Sequence, residues 1–140
     1  MMQSSIALCF TGLLLFMLGL LNGLVIPRLR SPRLGLSAHL TAVQSGTFLI
    51  AMGLLWPKLA MGAPWDQVLS TGLWVSLYAI WFALFLSGLF GAGEGLSIAG
   101  QGMTTTRGRQ RLVTVILAAG SLGCLIATGG VLAASRWVGL

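Results

Sequence analysis

Four stretches of this chain, 6–26, 36–56, 68–90 and 112–135, run without a single Asp, Glu, Lys or Arg. About 20 apolar residues in a helix cross the roughly 30 Å of a bilayer's hydrocarbon, and each stretch is long enough to do so. Within lipid every backbone N–H and C=O needs a partner in its own segment or in a closed barrel, so spans are helices or barrel strands. Strands would show as alternating segments of about ten residues, and no such alternation is present. With 56% of its residues hydrophobic and 7% charged, the chain cannot hide its apolar surface as a water-soluble domain. The expected fold is an all-α integral membrane protein, one four-transmembrane-helix bundle over residues 1–140. The first stretch reads as a retained span: no Lys or Arg precedes it, it is too long for a signal-peptide core, and no small-x-small cleavage site follows.

The net charge of +6 is concentrated rather than spread. Arg28, Arg30 and Arg33 follow the first span, and Arg107, Arg109 and Arg111 precede the fourth. Alternating helices put both clusters on one membrane face. The positive-inside rule makes that face cytoplasmic in a bacterial-type inner membrane, with both termini outside and only Lys58 and Arg136 opposite. The arginines are thus expected to meet lipid phosphate, and nucleic acid is not an expected partner. Cys9 and Cys124 lie within spans as small apolar fillers and give neither a disulfide framework nor metal-ligand spacing.

Between lipid tails, helices associate where small residues allow close backbone approach. Gly19 with Gly23, Gly91 with Gly95, and the strip Ala119, Gly120, Gly123, Ala127 and Gly130 supply such surfaces. Trp56, Trp65 and Trp137 fall at span ends, where indole rings anchor at the interface. Trp74, Tyr78 and Trp81 share one face of the third span and form an aromatic wall. Two readings of that wall stand: helix–helix packing, or the lining of a pocket for a flat aromatic ligand.

Polar residues converge on the arginine-bearing end. Asn22 lies a turn before the first span ends, and His39 a turn into the second, followed by Thr41, Gln44 and Ser45. The loop after the third span adds Glu94, Ser97, Gln101 and Thr104 to Thr106. Polar groups at membrane depth are costly and are functional candidates, although Asn22 could clip helices together and Glu94 could be a solvated loop residue. The opposite end offers little beyond Asp66 and Lys58.

His39 is the only histidine, which excludes a multi-histidine metal site, and no carboxylate lies near a Ser–His pair to make a hydrolytic triad. It shares a helical face with Ala42, Gly46 and Gly53. A smooth small-residue groove under a neutral imidazole could take a planar macrocycle whose iron the ring ligates. A different catalytic role and a purely structural one remain open on spacing alone.

The segment PRLGLSAHLTAVQSGTFLIAMGLLWPKL (Pro32 to Leu59), together with LFGAGEGLSIAGQG (Leu89 to Gly102), resembles the hydroxylaminobenzene mutase family, small four-helix membrane proteins distantly similar to styrene oxide isomerase. The resemblance implies an intramolecular transfer of hydroxyl from the nitrogen of an arylhydroxylamine to the ortho ring carbon, giving a 2-aminophenol. It implies haem b bound by His39, the iron serving as Lewis acid, in a homo-oligomer, a trimer by the same resemblance. The family often has Asn-Gly six residues after this histidine; here Ser45-Gly46 stands instead, so Ser45, Gln44, Asn22 or Glu94 is the expected polar contact. The third-helix tyrosine of the isomerase has an approximate counterpart in Tyr78. Trp74, Trp81 and Gln44 are the expected contacts to a small aromatic substrate, and Ala42 and Gly46 to the macrocycle. Competing readings are an epoxide isomerase and a non-enzymatic haem-binding or structural membrane subunit.

Overall fold

The computed structural model describes residues 2–59, 61–93, 100 and 102–135. They form four long helices, α1 (Met2–Val25), α2 (Pro32–Leu55), α3 (Trp65–Phe90) and α4 (Arg107–Ala134), with short 3-10 turns at Ile26–Arg28 and Trp56–Leu59. All four are long and apolar enough to cross a membrane, and the chain is a four-helix membrane bundle. Each helix begins three to five residues before its charge-free stretch, since backbone hydrogen bonding continues into the interfacial zone where hydrophobicity has faded, and ends within a residue of it. α2 starts on Pro32, whose fixed φ suits a first helical position, and α4 starts on Arg107.

The termini lock neighbours together. α3 stops at Gly91, which has φ +67°, and the N–H groups of Gly91 and Ala92 both donate to the Ser87 carbonyl. That left-handed cap suits glycine because it carries no Cβ. The Ser31 N–H donates to the Gly88 carbonyl at 3.0 Å, and a Cβ on Gly88 would lie 3.0 Å from the Gly35 nitrogen, so the start of α2 and the end of α3 meet backbone to backbone.

α1 and α2 form the most extensive interface. α3 packs most extensively on α4, then on α2 and more lightly on α1, while α4 closely approaches neither α1 nor α2. A core of Leu8, Leu15, Leu49, Leu73 and Leu77 fills the space between the first three helices. Large apolar residues such as Leu122, Leu125, Ile126 and Leu132 point outward from α4, as lipid-facing side chains should.

Candidate active site

His39 sits seven residues into α2, about 10 Å along the axis at 1.5 Å per residue. Its half-buried ring lies over the small-residue pair of α1. A Cβ at Gly23 would come within 3.0 Å of Nδ1, so the glycine makes the room the imidazole occupies. The same nitrogen is 2.7 Å from the Gly19 carbonyl oxygen. A carbonyl only accepts, so Nδ1 carries the proton and donates it, and Nε2 keeps a bare lone pair. Nε2 has no hydrogen bond to any described residue. The carbonyl fixes tautomer and ring direction, as backbone carbonyls do for metal-ligating histidines, and a purely structural histidine makes the same bond. No group of three or more His, Cys, Asp or Glu side chains stands together among the described residues. A lone imidazole of this kind suits a cofactor that brings its own remaining ligands.

The strip running from His39 through Ala42 and Gly46 to Gly53 is not the open groove expected from the sequence. α1 fills it. A Cβ on Gly46 would lie 2.6 Å from the Phe16 nitrogen and 2.7 Å from the Gly12 oxygen. One on Gly19 would strike the Ala42 Cβ at 2.8 Å, and one on Gly53 the Cys9 sulfur at 2.5 Å. Ala42 and Gly46 are buried in this helix pair and are not offered to a macrocycle within the bundle. Small residues accept a helix backbone as readily as a flat ligand, and the hydroxyl of Ser5, donating to the Gly53 carbonyl at 2.6 Å, ties the seam.

Asn22 is 4% exposed, and neither its Oδ1 nor its Nδ2 has a hydrogen-bond partner. It lies one turn along α1 from Gly19 and next to Gly23, so the orphaned amide and the tethered imidazole belong to the same stretch of the bundle. The Trp81 Nε1 is likewise buried and unmet. Ser45 is buried on α2, whereas Gln44 beside it is exposed and turns out of the bundle. Glu94, Ser97 and Gln101 lie outside the described residues, as do Gly95 and Trp137.

The aromatic wall forms, and it is longer than the sequence indicated. Tyr78 meets Trp74 and Trp81 edge to face at 5.9 and 6.4 Å, and Trp81 stacks on Phe85 at 6.0 Å. The Tyr78 hydroxyl donates to the Thr11 carbonyl at 2.8 Å, eight residues before Gly19 and so about 12 Å along α1 from the carbonyl that holds His39. Trp74 is farther still, in a polar pocket of about 300 Å³ with Gln3, Ser4, Asp66, Gln67, Ser70 and Thr71. α1 and α3 run in the same direction, so with Tyr78 level with Thr11 the part of the wall nearest the depth of the His39 tether is Phe85, with Trp81 about one turn short of it. Phe85 escaped the sequence reading, although its i+4 spacing from Trp81 was the available signal.

The far end of the bundle is also richer than expected. Asp66, 8% exposed, accepts from Ser4 Oγ at 2.8 Å and from Trp56 Nε1 at 2.6 Å, joining the ends of three helices. Trp56 is therefore not an interfacial anchor: it is fully buried, its indole consumed by that carboxylate, while Trp65 is 56% exposed at the interface. A nearly wholly apolar cleft of about 250 Å³ lies between α2 and α4 around Phe48, Met52, Leu73 and Val131. Phe48 is nine residues from His39, about 13 Å along α2, which separates that cleft from the imidazole.

The chain is 40% identical to hydroxylaminobenzene mutase HabB of Ectopseudomonas oleovorans over 82% of its own length and 71% of the relative's. It is 39% identical to hydroxylaminobenzene mutase HabA of the same organism over 76% of its length and 80% of the relative's. No solved structure matches it. The family model described as styrene oxide isomerase matches residues 5–136, through all four spans and the segment around His39, and the chain belongs to that family.

Proposed function

We propose that this chain is a membrane isomerase of the hydroxylaminobenzene mutase type, converting an arylhydroxylamine into a 2-aminophenol. The observation that carries the reading is the His39 ring, proton fixed on Nδ1 by the Gly19 carbonyl and Nε2 bare at membrane depth, in a chain about 40% identical to two such mutases. The N–O bond breaks, a C–O bond forms at the ortho carbon, and the ortho proton ends on nitrogen, so the reaction needs no net oxidant or reductant. His39 Nε2 would hold a haem b, whose iron would supply Lewis acidity to the reaction. The chain's own contribution is to hold the imidazole in one tautomer, to give the arene an aromatic surface at Trp81 and Phe85, and to keep bulk water away while the hydroxyl migrates. A substrate of this kind partitions into the bilayer and reaches the bundle from its apolar surroundings. The arginine-bearing end faces the cytoplasm of a bacterial inner membrane with both termini outside, and the protein assembles as a homo-oligomer, a trimer on family resemblance.

Detergent-purified protein should show a Soret band and turn over hydroxylaminobenzene, and His39→Ala should abolish both. Full turnover in His39→Ala, with no Soret band in the wild type even after haem supplementation, would sink the proposal. The family match favours epoxide-to-carbonyl isomerisation as a second reading, and styrene oxide assayed beside hydroxylaminobenzene separates the two.

A further inference from the structure

Asn22 is the only residue for which both ends of a buried side-chain amide lack a partner among the described residues. Such an amide offers two donors and an acceptor with two lone pairs, and an apolar membrane interior has no water to satisfy them at low cost. Asn22 follows Thr11 by eleven residues, three turns plus about 20°, so it lies on the face of α1 whose Thr11 carbonyl meets Tyr78 of α3. It also neighbours Gly23, over which the His39 ring lies. The unmet amide is therefore enclosed within the bundle, one residue along α1 from the glycine over which the His39 ring lies, and it is not a clip between helices, because it clips nothing.

Resting on the mutase reading, we infer that Asn22 is the group that recognises the N–O unit of the substrate and selects an arylhydroxylamine over an epoxide: Oδ1 accepts from the hydroxylamine N–H while Nδ2 donates to the hydroxyl oxygen. As the N–O bond breaks, positive charge grows on the nitrogen and the ring, and negative charge grows on the departing oxygen. Both hydrogen bonds strengthen in that direction, so the amide acts on the transition state more than on the bound substrate. An epoxide carries an acceptor oxygen and no donor. It leaves Oδ1 unmet, and a site built to hydrogen-bond a substrate N–H rejects an analogue that lacks one.

Three substrates and two variants test this in the full-length, haem-supplemented protein. Wild type should prefer hydroxylaminobenzene to N-methyl-N-phenylhydroxylamine, which has no N–H, by about 10²-fold in kcat/KM, a comparison that needs no variant. Asn22→Leu should lower kcat on hydroxylaminobenzene by about 10²-fold with KM little changed, erase the preference against the N-methyl compound, and lower styrene oxide turnover by a clearly smaller factor, since an epoxide can use only the Nδ2 donor. Asn22→Gln, which keeps the amide on a longer arm, should recover part of the rate. A purely structural Asn22 would lower stability and all three activities together, and that outcome overturns the inference, as does wild-type activity that ignores the N-methyl group. A wild type inert toward hydroxylaminobenzene overturns the mutase reading itself, so the two failures are told apart.

Discussion

The space left by the missing Cβ at Gly23 lets His39 keep its place. The ring would lie 3.0 Å from that Cβ, and the neighbouring Gly19 carbonyl fixes its proton. Gly23→Ala should displace the ring by a few tenths of an ångström. Gly23→Val should break the Nδ1 hydrogen bond and remove most of the Soret absorbance and of the activity, with helix content by circular dichroism unchanged. At the other end, Trp56→Phe removes the donor to Asp66 and part of the buried indole's volume. It should cost about 1–3 kcal/mol in thermal or denaturant unfolding, whereas Trp65→Phe at the exposed interface should change little. The candidate site and the Trp56–Asp66 pair differed in how far the sequence revealed them. His39 and Asn22 stood out because polar groups are rare in spans, and no property of the neighbouring letters could hide them. The role of Trp56 was hidden because its partner Asp66 comes within reach only after the intervening turn folds.

At the level of helices, glycines in the same sequence context have opposite meanings. A Cβ at Gly46 would meet backbone atoms of Gly12 and Phe16 at under 3.0 Å, and backbone cannot rotate aside. Gly46→Ala should therefore push α1 and α2 apart and destabilise the protein by about 1–3 kcal/mol. Gly129, on the open side of α4, has nothing within 4 Å, and Gly129→Ala should be neutral or stabilise by up to about 1 kcal/mol through helix propensity. Unfolding of the pair in one detergent measures the contrast. The four spans were legible because an uninterrupted apolar run has few other homes, but the partner of each small-residue face was not. The strip from His39 to Gly53 reads alike whether a cofactor or a helix covers it, and only the tertiary register shows that α1 does. Ser45 and Gln44 illustrate the same gap: one residue apart, they differ by burial because α2 turns about 100° between them.

For the whole molecule, the two arginine clusters fix a direction. Gly108→Cys, at an exposed position among the arginines, should react with a membrane-impermeant maleimide only once the cytoplasmic side is opened. Ala63→Cys, at the other end, should react from outside in intact cells, with Cys9 and Cys124 replaced by Ala in both backgrounds. The reverse pattern would invert the proposed insertion. The solitary attachment of α4 bears on biogenesis. The seam that orients the imidazole lies between α1 and α2, which end at Leu55, so the nascent chain can settle it while its last span is still being made. The order of synthesis then matches the order of assembly, and a stall ahead of the fourth span would leave a membrane-inserted intermediate with the histidine already seated.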